Sequence, residues 1–301
     1  MSYSCIEDIC KKHGAEFLCD EPMSEYTSFK IGGNCDLLVK PESADCVREI
    51  IECCRKNNIR YYVLGKGSNV LVSDNGLRGV VIALSSSMTN VRLEEDDVIY
   101  CDAGTSLSKV CTFAKENSLT GLEFAYGIPG SVGGALYMNA GAYGGEMKDV
   151  VESCFYLNED LTVKEMKAGE MALSYRHSIF CEKDYIILGA RIKLEKGDKA
   201  EITAKMSELM EKRRSKQPLE YPSAGSTFKR PEGDFAARLI EVSGLKGYTC
   251  GGAQVSEKHS GFVINKGGAT CSDVMDVVSA VKEKVYKDSG VMLECEILIL
   301  E

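Results

Sequence analysis

No run in this sequence approaches the ~20 consecutive apolar residues that a membrane-spanning helix requires, so bilayer insertion is not expected. The residues after Met1 (Ser2-Tyr3-Ser4-Cys5-Ile6-Glu7-Asp8) lack the basic, then apolar, pattern of a secretory leader, and a cytosolic location is the expectation. Histidine occurs 3 times and no Cys-x-x-Cys pair is present, which removes the common zinc frameworks; no metal is expected. Positive charge is in deficit. A net charge of −9 argues against nucleic acid as the main partner, because phosphate backbones need a basic face. Proline is scarce at 6 residues and tryptophan is absent, and no repeat, low-complexity tract or long linker breaks an otherwise ordinary globular composition. A chain of 301 residues has length for about two domains.

Cysteine is abundant. Without a leader, 14 cysteines in a chain of this size do not read as a disulfide framework, which belongs to small secreted domains. Most stand where Ala, Ser or Val would serve, as in Cys53-Cys54 and Cys295, so reduced thiols acting as small hydrophobes are expected. The cations are unevenly spread: Lys212, Arg213, Arg214, Lys216, Lys229 and Arg230 cluster in one segment, opposed only by Glu211 and Glu220. Cations at a helix end answer the dipole there. A site for an anionic small molecule would explain them equally.

Hydrophobic periodicity predicts a helix over Ala44–Asn57, with Val47, Ile50, Ile51 and Cys54 on its stripe. Strands follow at Tyr61–Leu64, Val70–Val72 and Val80–Leu84, then helices at Ser106–Glu116 and Val132–Met138 and a strand at Tyr185–Ile192. After Gly197 a helix carries Ile202, Met206, Leu209 and Arg213; near the end another carries Val274, Val277, Val278, Val281 and Val285. The residues from Val291 to Leu300 alternate as a strand. Breaks near Gly79 and Gly197 divide the chain into 1–79, 80–196 and 197–301.

Three glycine-rich segments stand out: Ile31-Gly32-Gly33, Gly65-Lys66-Gly67-Ser68-Asn69, and Gly127-Ile128-Pro129-Gly130-Ser131-Val132-Gly133-Gly134. Glycine lets successive backbone N–H groups converge on phosphate oxygens, and a helix opening at Ser131 or Val132 would add its dipole. Taken singly, each reads more readily as a tight turn. None fits a P-loop or a Rossmann fingerprint, and no Gly-x-Ser-x-Gly elbow exists.

Their order and wording add more. Thr27-Ser28-Phe29-Lys30-Ile31-Gly32-Gly33, Leu64-Gly65-Lys66-Gly67-Ser68-Asn69-Val70-Leu71 and the Gly127–Ala135 segment together resemble the flavin-binding half of the UDP-N-acetylenolpyruvoylglucosamine reductases. The likeness continues through Tyr137-Met138-Asn139-Ala140-Gly141-Ala142-Tyr143-Gly144, Ser174-Tyr175-Arg176 and Ser223-Ala224-Gly225-Ser226-Thr227-Phe228-Lys229. It closes with Gly244-Leu245-Lys246-Gly247, His259-Ser260-Gly261-Phe262-Val263-Ile264-Asn265 and Leu293-Glu294-Cys295-Glu296. Only residues 177–184 separate Arg176 from Tyr185, so the chain is similar to the shorter branch, which lacks an inserted tyrosine loop.

The resemblance implies an α+β fold: a two-part FAD-binding module of the vanillyl-alcohol-oxidase (PCMH) type, subdomains 1–79 and 80–196, then a substrate-binding domain over 197–301. It implies FAD as cofactor, NADPH as hydride donor and UDP-N-acetylglucosamine enolpyruvate as substrate, reduced to UDP-N-acetylmuramate for peptidoglycan. A monomer or weak dimer is expected. FAD contacts would fall at Ile31, Gly65, Lys66, Gly67, Ser68, Asn69, Gly104, Gly127, Pro129, Gly130, Ser131, Gly133 and Gly134, and substrate contacts at Tyr175, Arg213 and Lys216.

Three residues would carry the chemistry. Arg176 has a guanidinium fork that matches a carboxylate bidentately. Ser226 is implied as proton donor, and its small neighbours let a hydroxyl approach a ligand. On the terminal strand Glu294 and Glu296 share one face, and alternation does not choose between them; the resemblance selects Glu296, as partner to Arg176. His259 is expected to order the loop before Asn265. Arg230 stands where many relatives have Asn, so no substrate contact is carried to it. Two rival readings are an oxidase on the same flavin fold and a nucleotide-binding regulator without turnover.

Overall fold

The computed structural model describes residues 3–301. They form two compact units from interleaved segments. One holds the chain up to Cys19, Leu37–Lys66 and Gly79–Lys212; the other holds Asp20–Asp36, Gly67–Arg78 and Arg213–Glu301. The sequence partition is consecutive, whereas strand pairing here is long-range. Gly79, where that partition falls, also opens a segment of the first unit, within the strand Leu77–Ala83. It has φ +130, and a Cβ there would sit 2.1 Å from the Arg60 carbonyl oxygen.

The first unit is built on a five-stranded antiparallel sheet. Its order is Val163–Lys167, Val151–Leu157, Ile186–Lys193, Val98–Asp102 and Val91–Glu95. Cys154, Ala190 and Cys101 pair across three strands and are fully buried. The outward residues Tyr100, Phe155 and Arg191 alternate with them, and Arg191 reaches Glu94 and Glu165 at 2.6 and 2.7 Å. In the same unit Tyr61–Leu64 pairs in parallel with Val80–Ala83. The helix Ala44–Lys56 opens on a Ser43 cap and buries Cys46, Val47, Ile50, Ile51 and Cys54, which is the stripe expected. Burial pushes the Cys46 and Cys54 thiols up to about 12, so they stay protonated and pack as apolar groups. Among the described residues every cysteine is free, and only Cys19 and Cys181 are exposed.

The second unit packs the helix Cys271–Ser289 on a small sheet of Thr249–Cys250, Ala253–Val255 and Val263–Asn265. The predicted stripe, Val274, Val277, Val278, Val281 and Val285, is buried with Cys271. Thr270 and Asp273 form a capping box, and Asp74 adds a second cap by accepting from Cys271 N (2.7 Å) and Ser272 N (3.0 Å). The final strand is shorter than expected. Only Leu298–Leu300 is a regular strand, parallel to Val70–Val72. Upstream, Glu294–Glu296 pairs instead with Thr227–Lys229, through Lys229 N to Glu294 O (2.9 Å) and Glu296 N to Thr227 O (2.8 Å). The segment changes neighbours near Ile297, so it cannot form one continuous ladder.

Asp74→Ala leaves the first two N–H groups of the long helix without that acceptor and removes an anion from its positive end. A loss of about 1–2 kcal/mol in urea unfolding, with an unchanged slope, is the expected outcome.

Candidate active site

Within the second unit, residues from five of the sequence motifs meet. Ser28 N donates to the Gly67 carbonyl (3.0 Å), and Ser28 Oγ donates to the Ser223 carbonyl (2.6 Å). Asn69 Nδ2 donates to the Glu296 carbonyl (3.1 Å), while its own carbonyl accepts from Leu298 N (2.9 Å). Asn265, almost fully buried, donates to the Phe29 carbonyl (3.2 Å) and accepts from Gly267 N and Ala269 N. Phe29, Ile31 and Leu71 share one apolar cluster with Ala224, Phe228, Leu293 and Ile297.

Ser226 stands half-buried between Gly225, at φ +77, and the buried Thr227. Thr227 is held on three sides: its N–H donates to the Gly261 carbonyl (2.8 Å), its Oγ1 accepts from Val263 N (2.9 Å), and its carbonyl accepts from Glu296 N. Ser226 and Glu296 are therefore brought to neighbouring backbone positions. Glu294 turns away to Lys229 at 3.3 Å, which separates the two glutamates that alternation left equal. His259 orders its loop as expected: its Nδ1 accepts from Gly261 N (3.2 Å), and its ring meets Phe262 edge-on. Burial holds the His259 pKa below its ordinary 6.5, with Glu241 and Lys246 acting in opposite directions.

Within the first unit, Gly65 and Ser131 are neighbours; a Cβ on Gly65 would lie 2.2 Å from Ser131 Oγ. Ser85 Oγ donates to the Gly65 carbonyl (2.8 Å). The helix Val132–Tyr137 follows a Ser131 cap, but its opening N–H groups are already used. Val132 N donates to Thr105 O, Gly133 N to Ala103 O and Gly134 N to Ser131 Oγ. The expected convergence of these amides on phosphate is thus corrected: they hold the sheet's Ala103–Thr105 corner. Gly104 and Gly133 have packing reasons to be glycine, since a Cβ would press on Leu84 O or on Ala103. Gly127 and Gly130 are half-buried and Pro129 is exposed.

The middle loop behaves differently. Among the described residues, the amides of Gly65 and Lys66 in the first unit, and of Gly67, Ser68 and Asn69 in the second, donate to no protein acceptor. In the second unit, the successive unspent donors of Gly67, Ser68 and Asn69 fit the diphosphate of a dinucleotide such as FAD. Gly67 has φ +60, and a Cβ there would lie 2.0 Å from the Tyr26 carbonyl. Ile31, by contrast, buries its side chain in the apolar cluster and offers only backbone.

Arg176 sits in the tight turn Ser174-Tyr175-Arg176-His177, closed by paired bonds between Ser174 and His177. Its φ is +55, a conformation costing a non-glycine residue on the order of 1 kcal/mol. Its guanidinium lies 5.0 Å from the centroid of the exposed Tyr175 ring. Of the basic cluster, Lys212 pairs with Glu208, Lys229 with Glu294, and Arg230 stacks on Phe235. Arg213 is half-buried and Lys216 exposed in the last turn of the helix Lys199–Lys216.

Residues 217–300 match the C-terminal domain of UDP-N-acetylenolpyruvoylglucosamine reductase, and residues 35–166 match an FAD binding domain. A reductase of that name from Clostridium perfringens is 50% identical over 281 residues, 93% of this chain and 92% of the relative. The chain belongs to the UDP-N-acetylenolpyruvoylglucosamine reductase family. Its relative from Caldanaerobacter subterraneus is 51% identical over 289 residues, 96% of this chain and 95% of the relative. A crystal structure of the Thermus caldophilus reductase superposes with a TM-score of 0.81 at 33% identity, covering 95% of this chain and 99% of that one. As a member with its FAD-binding domain, the protein is an FAD-containing oxidoreductase of α+β fold. No helix among the described residues is long and apolar enough to cross a membrane. Sequence reasoning quoted Thr227 and Asn265 within motifs but gave them no task. A buried Asn closing the apolar run Phe262-Val263-Ile264 was the available signal.

Two outcomes follow from this geometry. Gly67→Ala forces a Cβ onto a backbone carbonyl, and FAD retention should fall by about tenfold or more, read from flavin absorbance after gel filtration. The His259 pKa is depressed in the folded protein, so the neutral ring contributes stability above pH 6.5 that is lost as pH falls through the folded value. His259→Asn keeps an acceptor for Gly261 N without a proton to gain, and its melting temperature should fall less than the native one's between pH 7.5 and 5.5.

Proposed function

We propose that this protein reduces UDP-N-acetylglucosamine enolpyruvate to UDP-N-acetylmuramate with NADPH as hydride donor, in bacterial peptidoglycan synthesis and in the cytoplasm. The observation carrying the reading is the second unit's pairing of Thr227 with Glu296, pinned by Asn69 from the glycine loop. It supports Ser226 as proton donor and Glu296 as carboxylate by holding their backbones side by side, next to the end of the glycine loop. When bound, FAD would supply two-electron carriage, so that hydride from NADPH adds to the terminal carbon of the enolpyruvyl double bond.

That addition leaves negative charge on the neighbouring carbon and its carboxylate. Arg176 stabilises the carboxylate by charge-assisted, bidentate hydrogen bonds, and Glu296 serves the same intermediate. Ser226 gives its hydroxyl proton to the neighbouring carbon and is reprotonated from solvent, so the double bond becomes CH–CH3. Tyr175, Arg213 and Lys216 bind the sugar nucleotide, the two cations through its diphosphate. Gly65 to Asn69 would hold FAD, and the family likeness assigns it further contacts at Ile31, Gly104, Gly127, Pro129, Gly130, Ser131, Gly133 and Gly134.

Anaerobic rapid mixing tests the reading. NADPH should bleach the flavin band, and the enolpyruvyl substrate should restore it; recovery only on admitting air would overturn the reductase in favour of an oxidase. Ser226→Ala should leave bleaching near native and slow recovery by roughly 10²–10⁴. Equal slowing of both steps would show that Ser226 shapes the site without donating the proton.

A further inference from the structure

Asn139 is fully buried, yet its backbone sits at φ +44, a left-handed conformation that Asn tolerates better than most residues. Its side chain is fully engaged. Nδ2 donates to Glu146 Oε2 (2.7 Å) and to the Ser174 carbonyl (3.0 Å), and Oδ1 accepts from Lys148 N (2.9 Å). Ser174 opens the turn that carries Arg176. Just past that turn Ser178, also fully buried, donates Oγ to the Tyr137 carbonyl (2.6 Å) and accepts from Phe180 N (3.3 Å). The end of the helix Val132–Tyr137 and the residue two beyond it therefore grip the chain two residues before Arg176 and two residues after it.

The turn needs such a grip. Ser174 and Tyr175 are exposed, and the bonds between Ser174 and His177 close the turn on itself without fixing where it stands. A guanidinium recognises a carboxylate bidentately only within a narrow range of distance and angle, so a small drift of the backbone weakens it steeply. The helix doing the gripping begins at the third glycine segment, so one rigid element links that segment to the arginine.

We propose that Asn139 and Ser178 are positioning residues for Arg176, setting its guanidinium for the substrate carboxylate. This rests on the reading of Arg176 given above. Asn139→Gly removes the side chain at a backbone angle glycine accepts, and Ser178→Ala removes one hydroxyl. Each should slow anaerobic flavin reoxidation by the enolpyruvyl substrate roughly 10- to 100-fold, with reduction by NADPH within about twofold of native. Titration calorimetry should show weaker binding of UDP-N-acetylmuramate, which has the carboxylate, and unchanged binding of UDP-N-acetylglucosamine, which lacks it. In an Arg176→Ala background neither substitution should slow reoxidation further, because the group being positioned is gone. Ser178→Thr, which keeps the hydroxyl, should restore most of the rate. Full additivity with Arg176→Ala, equal slowing of both half-reactions, or no rescue by threonine would overturn the positioning role. If Arg176→Ala slows reoxidation while Ser178→Ala and Asn139→Gly do not, the positioning role alone falls. If Arg176→Ala itself leaves reoxidation unchanged, the reading of Arg176 falls and the proposal with it.

Discussion

Asn69 holds the terminal segment at the point where it changes neighbours. Through Nδ2 it donates to the Glu296 carbonyl, and through its own carbonyl it accepts from Leu298 N. Residues before that point pair with Thr227–Lys229, and residues after it pair in parallel with Val70–Val72. One asparagine thus does for this segment what a regular ladder would do for a longer strand. It also ends the glycine loop, so the loop's unspent amides and the Glu296 backbone are referred to one anchor. Losing either bond would loosen the segment and the loop together, although Thr227 still holds Glu296 N and Gly67 still accepts from Ser28 N.

The polar residues that organise the site are buried and nearly saturated. Thr227 and Asn265 spend their side chains on backbone groups, and Asn139 on two backbone groups and the Glu146 carboxylate; an unmatched polar atom there would cost about 1–3 kcal/mol. Those bonds specify geometry because few alternative arrangements satisfy all partners at once. The residues proposed to carry the chemistry are placed differently: Ser226, Glu296 and Arg176 are half-buried. Arg176 and Asn139 are among the nine non-glycine residues at positive φ in the described chain, and surrounding bonds hold them there.

Periodicity determined much of this protein. The stripes Val47-Ile50-Ile51-Cys54 and Val274-Val277-Val278-Val281-Val285 are the buried faces found, since a helix can satisfy its backbone locally and needs only one apolar side. The strand Tyr61–Leu64, the cysteines as packing groups and the ordered motifs that mark the family were equally legible. What stayed hidden was pairing. Alternation predicts a strand over Val291–Leu300 but carries no information on its partner, and so none on the switch near Ile297. It left Glu294 and Glu296 equal, until Lys229 claimed one of them. The glycine-led helix looked like a phosphate cradle because its sequence cannot reveal that Ala103 and Thr105 take its first amides. Helices and apolar faces are properties of neighbouring residues, and the sequence determines them alone. Which distant backbone group meets a given N–H is settled only when the chain has closed its long loops, and there the tertiary structure decided.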